Sequence, residues 1–370
     1  MNHTSFGVLA AVLAPALLLA TPASPAAAQG TGRDTAQKLP TVSVTASRGE
    51  AAILTTPLAV SKITTAALRT LSGFGLDEAL SKVPGVLAQS RYGTSDVRIV
   101  IRGFGARGAG DRSNAGTSRG VRFLIDGIPE TEPDGRTSLD QMDLAAASAI
   151  EVVRSNSSVV WGNAAGGVVN VLTPIWGTRT TIDLQPMTGS FGMRRLAIRW
   201  STPVGTGTAY TSFTNTVSDG WRDHSSARRA LINAGVTGSL GDKTKVAVYA
   251  TGANNLSHLP GALTQAQYDA DPTQANATYA ARDERRYNRV LRLGATIDHQ
   301  LGANASVSSM VFVNPKYLQR SERNTFRDFT RYHVGGNIVG RLQAGRNSFT
   351  AGIDEAFQDG AIMFYSLVNG

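Results

Sequence analysis

Residues 98–173 read RIVIRGFGARGAGDRSNAGTSRGVRFLIDGIPETEPDGRTSLDQMDLAAASAIEVVRSNSSVVWGNAAGGVVNVLT. Short apolar runs recur in this stretch, at 99–101, 121–125 and 150–153, and each ends at a polar residue, Arg102, Asp126 and Arg154. Runs of that length between polar connections read as small buried strands. A fourth run, 167–172, follows a glycine-rich corner at 162–167, where small residues let backbone segments approach closely. Working outward, 59–63 reads as a further strand, 65–71 and 76–82 as short helices, the second stopped by Pro84 and Gly85, and 86–89 as another strand. The expectation is a compact α+β unit with glycines and arginines on its connections.

From Thr178 onward the pattern changes to longer segments with apolar residues at every second position, such as Leu196, Ile198 and Trp200, or Leu291, Leu293, Ala295 and Ile297. Period two with polar residues between suits a wall with lipid on one face and a wet lumen on the other. Nine antiparallel strands are expected, at 178–187, 192–202, 206–217, 228–240, 243–253, 285–300, 304–314, 326–342 and 346–358. Tight turns at 203–205, 241–242, 302–303 and 345–346 alternate with long connections at 218–227, 254–284 and 315–325. Short turns on one rim and long loops on the other are the habit of transmembrane β-barrels.

The first residues carry an apolar run at 6–20, then Pro22, Pro25 and three alanines before Gln29. A run of that length is shorter than the roughly twenty residues of a spanning helix and reads as a signal peptide over 1–28. The chain has no cysteine, so disulfides, thiolate metal sites and cysteine nucleophiles are excluded. Its formal net charge is +9 and its pI about 10.0. Such a balance suits nucleic acid, anionic lipid or an anionic ligand, and export removes the first. Residues 30–38 read as a flexible polar arm, followed by an extended β-prone segment around Thr41, Val42, Ser43, Val44, Thr45 and Ala46. On composition alone that segment is an ordinary first strand.

RIVIRGFG, FLIDGIP and IEVVRSNSSVVWGNAAGGVVNVLT, in this order, together with LDEALSKVPGV, resemble the plug domain of TonB-dependent outer-membrane receptors. Ser155 and Asn156 stand where that family usually has Gly-Pro. The resemblance implies a domain order of signal peptide 1–28, flexible arm with TonB box 29–50, plug 51–175 and partial transmembrane barrel 176–370. It implies that Thr41 to Ala46 form the TonB box, adding as a strand to a periplasmic TonB partner. It implies an outer-membrane location, no covalently bound cofactor, and a ligand of the ferric siderophore type. Plugged transporters have about 22 strands, which at this pace needs about 480 residues of barrel, so the sequence reads as the amino-terminal piece of a receptor. The alternative reading is a fragment that acts only as a binding or structural module, or a remnant.

Arg107, Arg112 and Arg119 lie on connections that in the family face the outer vestibule, and guanidinium groups suit anionic chelates. With Tyr92 and Phe104 they are the ligand candidates. The connection 254–284, bearing Tyr268 and Tyr279, is a candidate lid. Arg102, Glu151 and Arg154 resemble the family's charged lock between plug and wall. Gly103, Gly105 and Gly108 spell a dinucleotide fingerprint, but the polar residues 109–120 give no helix to complete it. His224, His258, His299 and His333 are scattered and read as surface or loop histidines. An exported β-rich enzyme would need a nucleophile motif, and none is spelled.

Overall fold

The computed structural model describes residues 43–44, 51–52, 58–72, 75–90, 97–105, 118–139, 141–174, 178–322 and 325–366. The signal peptide at 1–28, and Thr41, Val42, Thr45, Ala46, Tyr92, Arg107 and Arg112, lie outside the described residues. Strand β1 (Ser43–Val44) pairs antiparallel with β2 (Ala51–Ala52), Ser43 opposite Ala52.

The amino-terminal domain follows as β3 (Val60–Thr64), α1 (Thr65–Leu68), α2 (Leu76–Leu80), β4 (Val86–Ser90), β5 (Val97–Ile101), β6 (Phe104–Gly105), β7 (Val121–Ile125), β8 (Ile128–Pro129), β9 (Ala149–Val153), α3 (Ser158–Trp161) and β10 (Gly167–Leu172). A five-stranded sheet has the order β3-β9-β10-β7-β8, and β4-β5-β6 form a second sheet of three. The strand β10 runs parallel to β7 and antiparallel to β9. Gly167 makes that central position possible. Its φ is +139°, and a Cβ there would sit 2.0 Å from the Val153 carbonyl oxygen, so only glycine starts β10 flush against β9. Leu76 and Leu80 of α2 pack with Ile99, Ile101, Phe123, Ile150 and Val169 in one apolar core. Asp77 and Glu78 in the first turn of α2 complement its dipole, and Glu78 accepts the Ser72 amide at 2.8 Å. The strands and helices expected from sequence are present, α1 and α2 shorter than expected, and β6, β8 and α3 are additional.

The wall is a single antiparallel sheet of nine strands in chain order: β11 (Thr181–Thr188), β12 (Arg194–Val204), β13 (Gly207–Ser218), β14 (Ala227–Leu240), β15 (Thr244–His258), β16 (Arg285–Gly302), β17 (Ala305–Glu322), β18 (Thr325–Ala344) and β19 (Asn347–Ser366). Its alternation is inverted relative to a water-soluble sheet. Arg292 and Asn314 are 1% and 0% exposed on the face that meets the amino-terminal domain, while Ile338 and Phe357 are each 61% exposed on the other. A wall with polar residues covered and aliphatic ones bare is built for lipid outside and a hydrated lumen inside.

Two connections differ from expectation. The segment 315–325 is not a long loop: β17 continues to Glu322 and β18 begins at Thr325. Pro315 misled the sequence reading because it has no N–H to give. The ladder toward β16 is interrupted between the Val290–Lys316 and Leu293–Val313 pairs, while pairing with β18 continues through Pro315 opposite Tyr332. The connection expected at 254–284 begins after His258 and carries two short helices, α4 (Gln265–Ala270) and α5 (Ala277–Ala281). A capping box between Thr264 and Gln267 starts α4, and the Asn276 side chain caps α5.

Candidate functional site

The segment IDGIPETEPD, 125–134, brings the two parts together. Asp126 and Gly127, at φ +56° and +77°, make the two-residue turn between β7 and β8, the Asp-Gly pair favoured where both positions need positive φ. Since β8 is the outermost strand of its sheet, this hairpin meets the wall. Ile128 packs among Met310, Phe312 and Tyr249, and Gly294 leaves room for it: a Cβ there would lie 2.2 Å from the Ile128 Cδ1.

The polar contacts around this apolar knob have one sign on each side. The Asp126 carboxylate accepts from the Thr173 amide and hydroxyl, both at 2.7 Å, and the same hydroxyl is 3.0 Å from the Tyr210 hydroxyl. Arg292 donates to the Ile125 carbonyl at 3.4 Å and to the Thr251 hydroxyl at 2.8 Å. Glu130 takes a contact from the Lys316 ammonium and a 3.3 Å bond from the Asn314 amide. Glu132 is 3.0 Å from Lys316 and 2.6 Å from Arg331, which also lies 3.4 Å from Asp134. Farther along, Thr214 donates to Asp143 at 2.6 Å, and Arg229 and Arg195 donate to the carbonyls of Met142 and Ser72. In this hairpin contact the domain supplies carboxylates and the wall supplies cations.

Burial acts differently on the three carboxylates. It holds Asp126 above the ordinary aspartate range against the opposing charge of Arg292. It likewise holds Glu130 above the glutamate range. For Glu132 burial also works upward, but Lys316 and Arg331 together outweigh it and hold the group below that range. Beside the apolar cluster of Ile128, Met310, Phe312 and Tyr249, the contact is held by charged pairs, and each pair is exchangeable for water once the domain shifts.

The residues singled out in the sequence fall elsewhere. Phe104 is 44% exposed, its ring lying over Gly120 and Gly166, and Gly105 donates its amide to the carbonyl of exposed Arg119 at 3.1 Å. These two ligand candidates are therefore neighbours. Arg102 is exposed and its amide donates to Gly85 at 3.2 Å; Arg154 donates to the Pro84 carbonyl at 2.9 Å; Glu151 is buried 3.3 Å from Lys62. Each of these contacts stays inside the amino-terminal domain. The acids of 126–134 were missed, although three carboxylates following an Asp-Gly turn with little apolar content between them were a legible signal.

Two histidine expectations are corrected. His333 is not at the surface: it is fully buried on the inner face of β18, edge-on to Phe312 with ring centres 4.7 Å apart. His224 and His258 are not scattered: their rings are 5.0 Å apart and their Nε2 atoms lie 3.9 and 3.4 Å from the Asp283 carboxylate. Chain separation says nothing about strand ends that antiparallel pairing makes adjacent. Close by, Arg222 ties the long connection down through the carbonyls of Gly261, at 2.8 Å, Pro260, at 3.4 Å, and Gln274, at 2.9 and 3.1 Å. Arg222→Ala is expected to make residues 259–284 cleavable by trypsin or chymotrypsin at least about tenfold faster, with the strands untouched, since bonds to a charged donor contribute roughly 1.5–3 kcal/mol. A cleavage rate equal to that of the unaltered protein would show that the helices hold the loop alone.

Residues 52–168 match the family model of the TonB-dependent receptor plug domain. The amino-terminal domain is a TonB-dependent receptor plug. Solved structures share the arrangement of plug and wall. BauA, the ferric preacinetobactin receptor from Acinetobacter baumannii, superposes with TM-score 0.71 at 13% identity, over 89% of this chain and 51% of that one. The ferric citrate transporter FecA gives 0.68 at 19% identity, over 84% and 49%. P. aeruginosa FpvA, bound to a heterologous pyoverdine, gives 0.68 at 14%, over 89% and 46%. The chain spans about half the length of these neighbours. At such identities the likeness is one of fold: a plug seated against part of a β-barrel wall.

Proposed function

We propose that this protein is a receptor for energised uptake, binding a ferric siderophore or a similar anionic iron chelate at the outer mouth and releasing it to the periplasm when a TonB partner displaces the plug. The observation that carries this reading is the polar seat of the plug, where Asp126, Glu130 and Glu132 face Arg292, Lys316 and Arg331. A permanent structural filler would be held mainly by apolar packing; here the apolar contact of the hairpin is the small cluster around Ile128, and the paired charges beside it can be exchanged for water. The pull would enter at Thr41 to Ala46. The backbone of Ser43 and Val44 is extended and paired with Ala51 and Ala52, a two-residue ladder short enough to be traded for the sheet edge of a partner. Arg102, Glu151 and Arg154 are proposed to help lock the plug, and Phe104 and Arg119 to meet the ligand. Deleting 41–46 is expected to abolish accumulation of radioactive iron supplied as chelate while chelate binding to intact cells is retained. Uptake unchanged by the deletion would end the energised-transport reading.

A further inference from the structure

The lipid face of the wall carries three arginines at one level. Arg194, Arg228 and Arg289 are exposed, and they share the outward parity of the exposed aliphatic residues Leu196, Ile232 and Leu291. Strand register fixes their spacing. Arg194 on β12 and Arg228 on β14 both lie opposite Val217 of β13, so two strand intervals, about 9.5 Å, separate them. On β15 Leu256 lies opposite Arg228, and Tyr287 of β16 lies opposite Leu256. Arg289 is the next outward residue of β16.

Their height follows from the strand ends. Arg194 is ten residues from Val204, where β12 ends; Arg228 is twelve from Leu240, where β14 ends; Arg289 is thirteen from Gly302, where β16 ends. At the usual tilt of a membrane strand those spans cover about 25–33 Å, which brings all three to the upper edge of an apolar band about 25 Å tall. Beneath the arginines the same strands turn aliphatic side chains outward: Leu196 on β12, Ile232 and Val236 on β14, Leu291 and Leu293 on β16.

Rings hold one of the three in place. The Cζ of Arg289 is 4.5 Å from the centre of Tyr317 and 5.2 Å from that of Tyr287, and the two rings meet edge to face at 6.3 Å. A guanidinium stacked on a ring keeps its N–H edge available to an oxyanion. Arg285, one turn of register farther out on β16, is by contrast taken by the Asp283 carboxylate. Among the described residues none of Arg194, Arg228 and Arg289 is in an ion pair. The carboxylates described on this face at this level, Asp328 and Asp359, stand on β18 and β19, and Asp328 accepts from the Tyr317 hydroxyl at 3.2 Å.

We infer that Arg194, Arg228 and Arg289 form a docking belt for phosphate-bearing lipid of the outer leaflet, with the acyl chains lying on the aliphatic strips below. The occupant follows from the two halves of the surface. Guanidinium forks at the boundary match an anionic headgroup, and the strips beneath them match its tails. A free oxyanion would use only the first half, and an uncharged lipid only the second. The spacing lets neighbouring arginines take separate phosphates, with Val217 and Leu256 between them as apolar seats. The inference needs only the lipid-facing wall and stands apart from the uptake reading.

The test is native mass spectrometry of the full chain, extracted from outer membranes in detergent and titrated with dioleoyl phosphatidic acid or dioleoyl phosphatidylcholine. Replacing Arg228 and Arg289 by glutamine is expected to weaken phosphatidic acid binding at least about tenfold and to leave phosphatidylcholine binding unchanged, since the charged donors are lost and the apolar strips are kept. Lysine at both positions should recover part of the loss, because the charge returns without the fork. Inorganic phosphate at the same concentration as the lipid should displace none of it. Equal affinity of the glutamine variant and the unaltered protein for phosphatidic acid overturns the belt. Equal loss for both lipids also overturns it, by marking a structural role for the arginines. Displacement of phosphatidic acid by inorganic phosphate overturns the lipid as occupant. Failure of the uptake reading is separate: it shows as chelate uptake that survives deletion of 41–46, whatever the belt does.

Discussion

Lys316→Met is expected to destabilise the seated plug by about 3–5 kcal/mol, the cost of removing one partner from a buried ion pair. One ammonium serves two carboxylates here: it contacts Glu130 and lies 3.0 Å from Glu132. After the substitution Glu132 keeps Arg331 at 2.6 Å and Gln358 at 3.2 Å, whereas Glu130 keeps the Asn314 amide and the more distant charge of Arg292. The loss should therefore concentrate at Glu130, and adding Glu130→Gln should restore most of it, since an amide can share the site with Asn314 without charge. Hydrogen exchange of plug amides across a urea series measures both. If the single variant unfolds its plug at the same urea concentration as the unaltered protein, the pair contributes nothing net and the seat is held by Ile128 and its apolar neighbours. If the double variant is no better than the single, the loss lies in packing of the lysine stem rather than in charge.

The second large effect is a pH dependence of plug stability in which the buried carboxylates of the seat act in opposite directions. Asp126 and Glu130 are held above their ordinary ranges, chiefly by burial. The folded protein therefore binds protons at these sites more readily than the unfolded chain, and their contribution is fully present at low pH and declines as pH rises through the raised values. Glu132, held low by Lys316 and Arg331, behaves oppositely: its contribution is present above the ordinary glutamate value of 4.5 and is lost as pH falls through its lowered one. Plug stability should thus rise as pH falls through the raised values of Asp126 and Glu130, then fall again as Glu132 takes up its proton below the ordinary glutamate range. Urea midpoints across a pH series test it. Glu132→Gln should remove the fall in acid and Glu130→Gln should flatten the rise; a profile that only falls with acid would show that Glu130 is ionised throughout.

Both effects arise from residues whose partners are far away in the chain, and this marks the division between what could be read early and what could not. The nine wall strands follow from alternation within each segment, because a lipid face and a wet face impose period two regardless of what lies across the lumen. The plug strands follow from local apolar runs and the Asp-Gly turn. Even the helix at Gln265–Ala270 was spelled locally, by the capping box of Thr264 and Gln267, though a polar connection of that length invites a reading as plain loop.

Long-range pairing decided the rest. Whether Pro315 ends a strand depends on which neighbour needs its missing N–H, and β18 does not. Whether Glu130 is a solvated acid or a buried anchor depends on Lys316, 186 residues later. His224 and His258 meet only because β14 and β15 bring their ends together, Ala227 opposite Ser257. The sequence by itself determined the plug, the wall and the face each strand turns to lipid, since those depend on local period and turn chemistry. Tertiary structure alone decided which charges seat the plug, since that depends on strand register across the sheet and on how the plug sits against it.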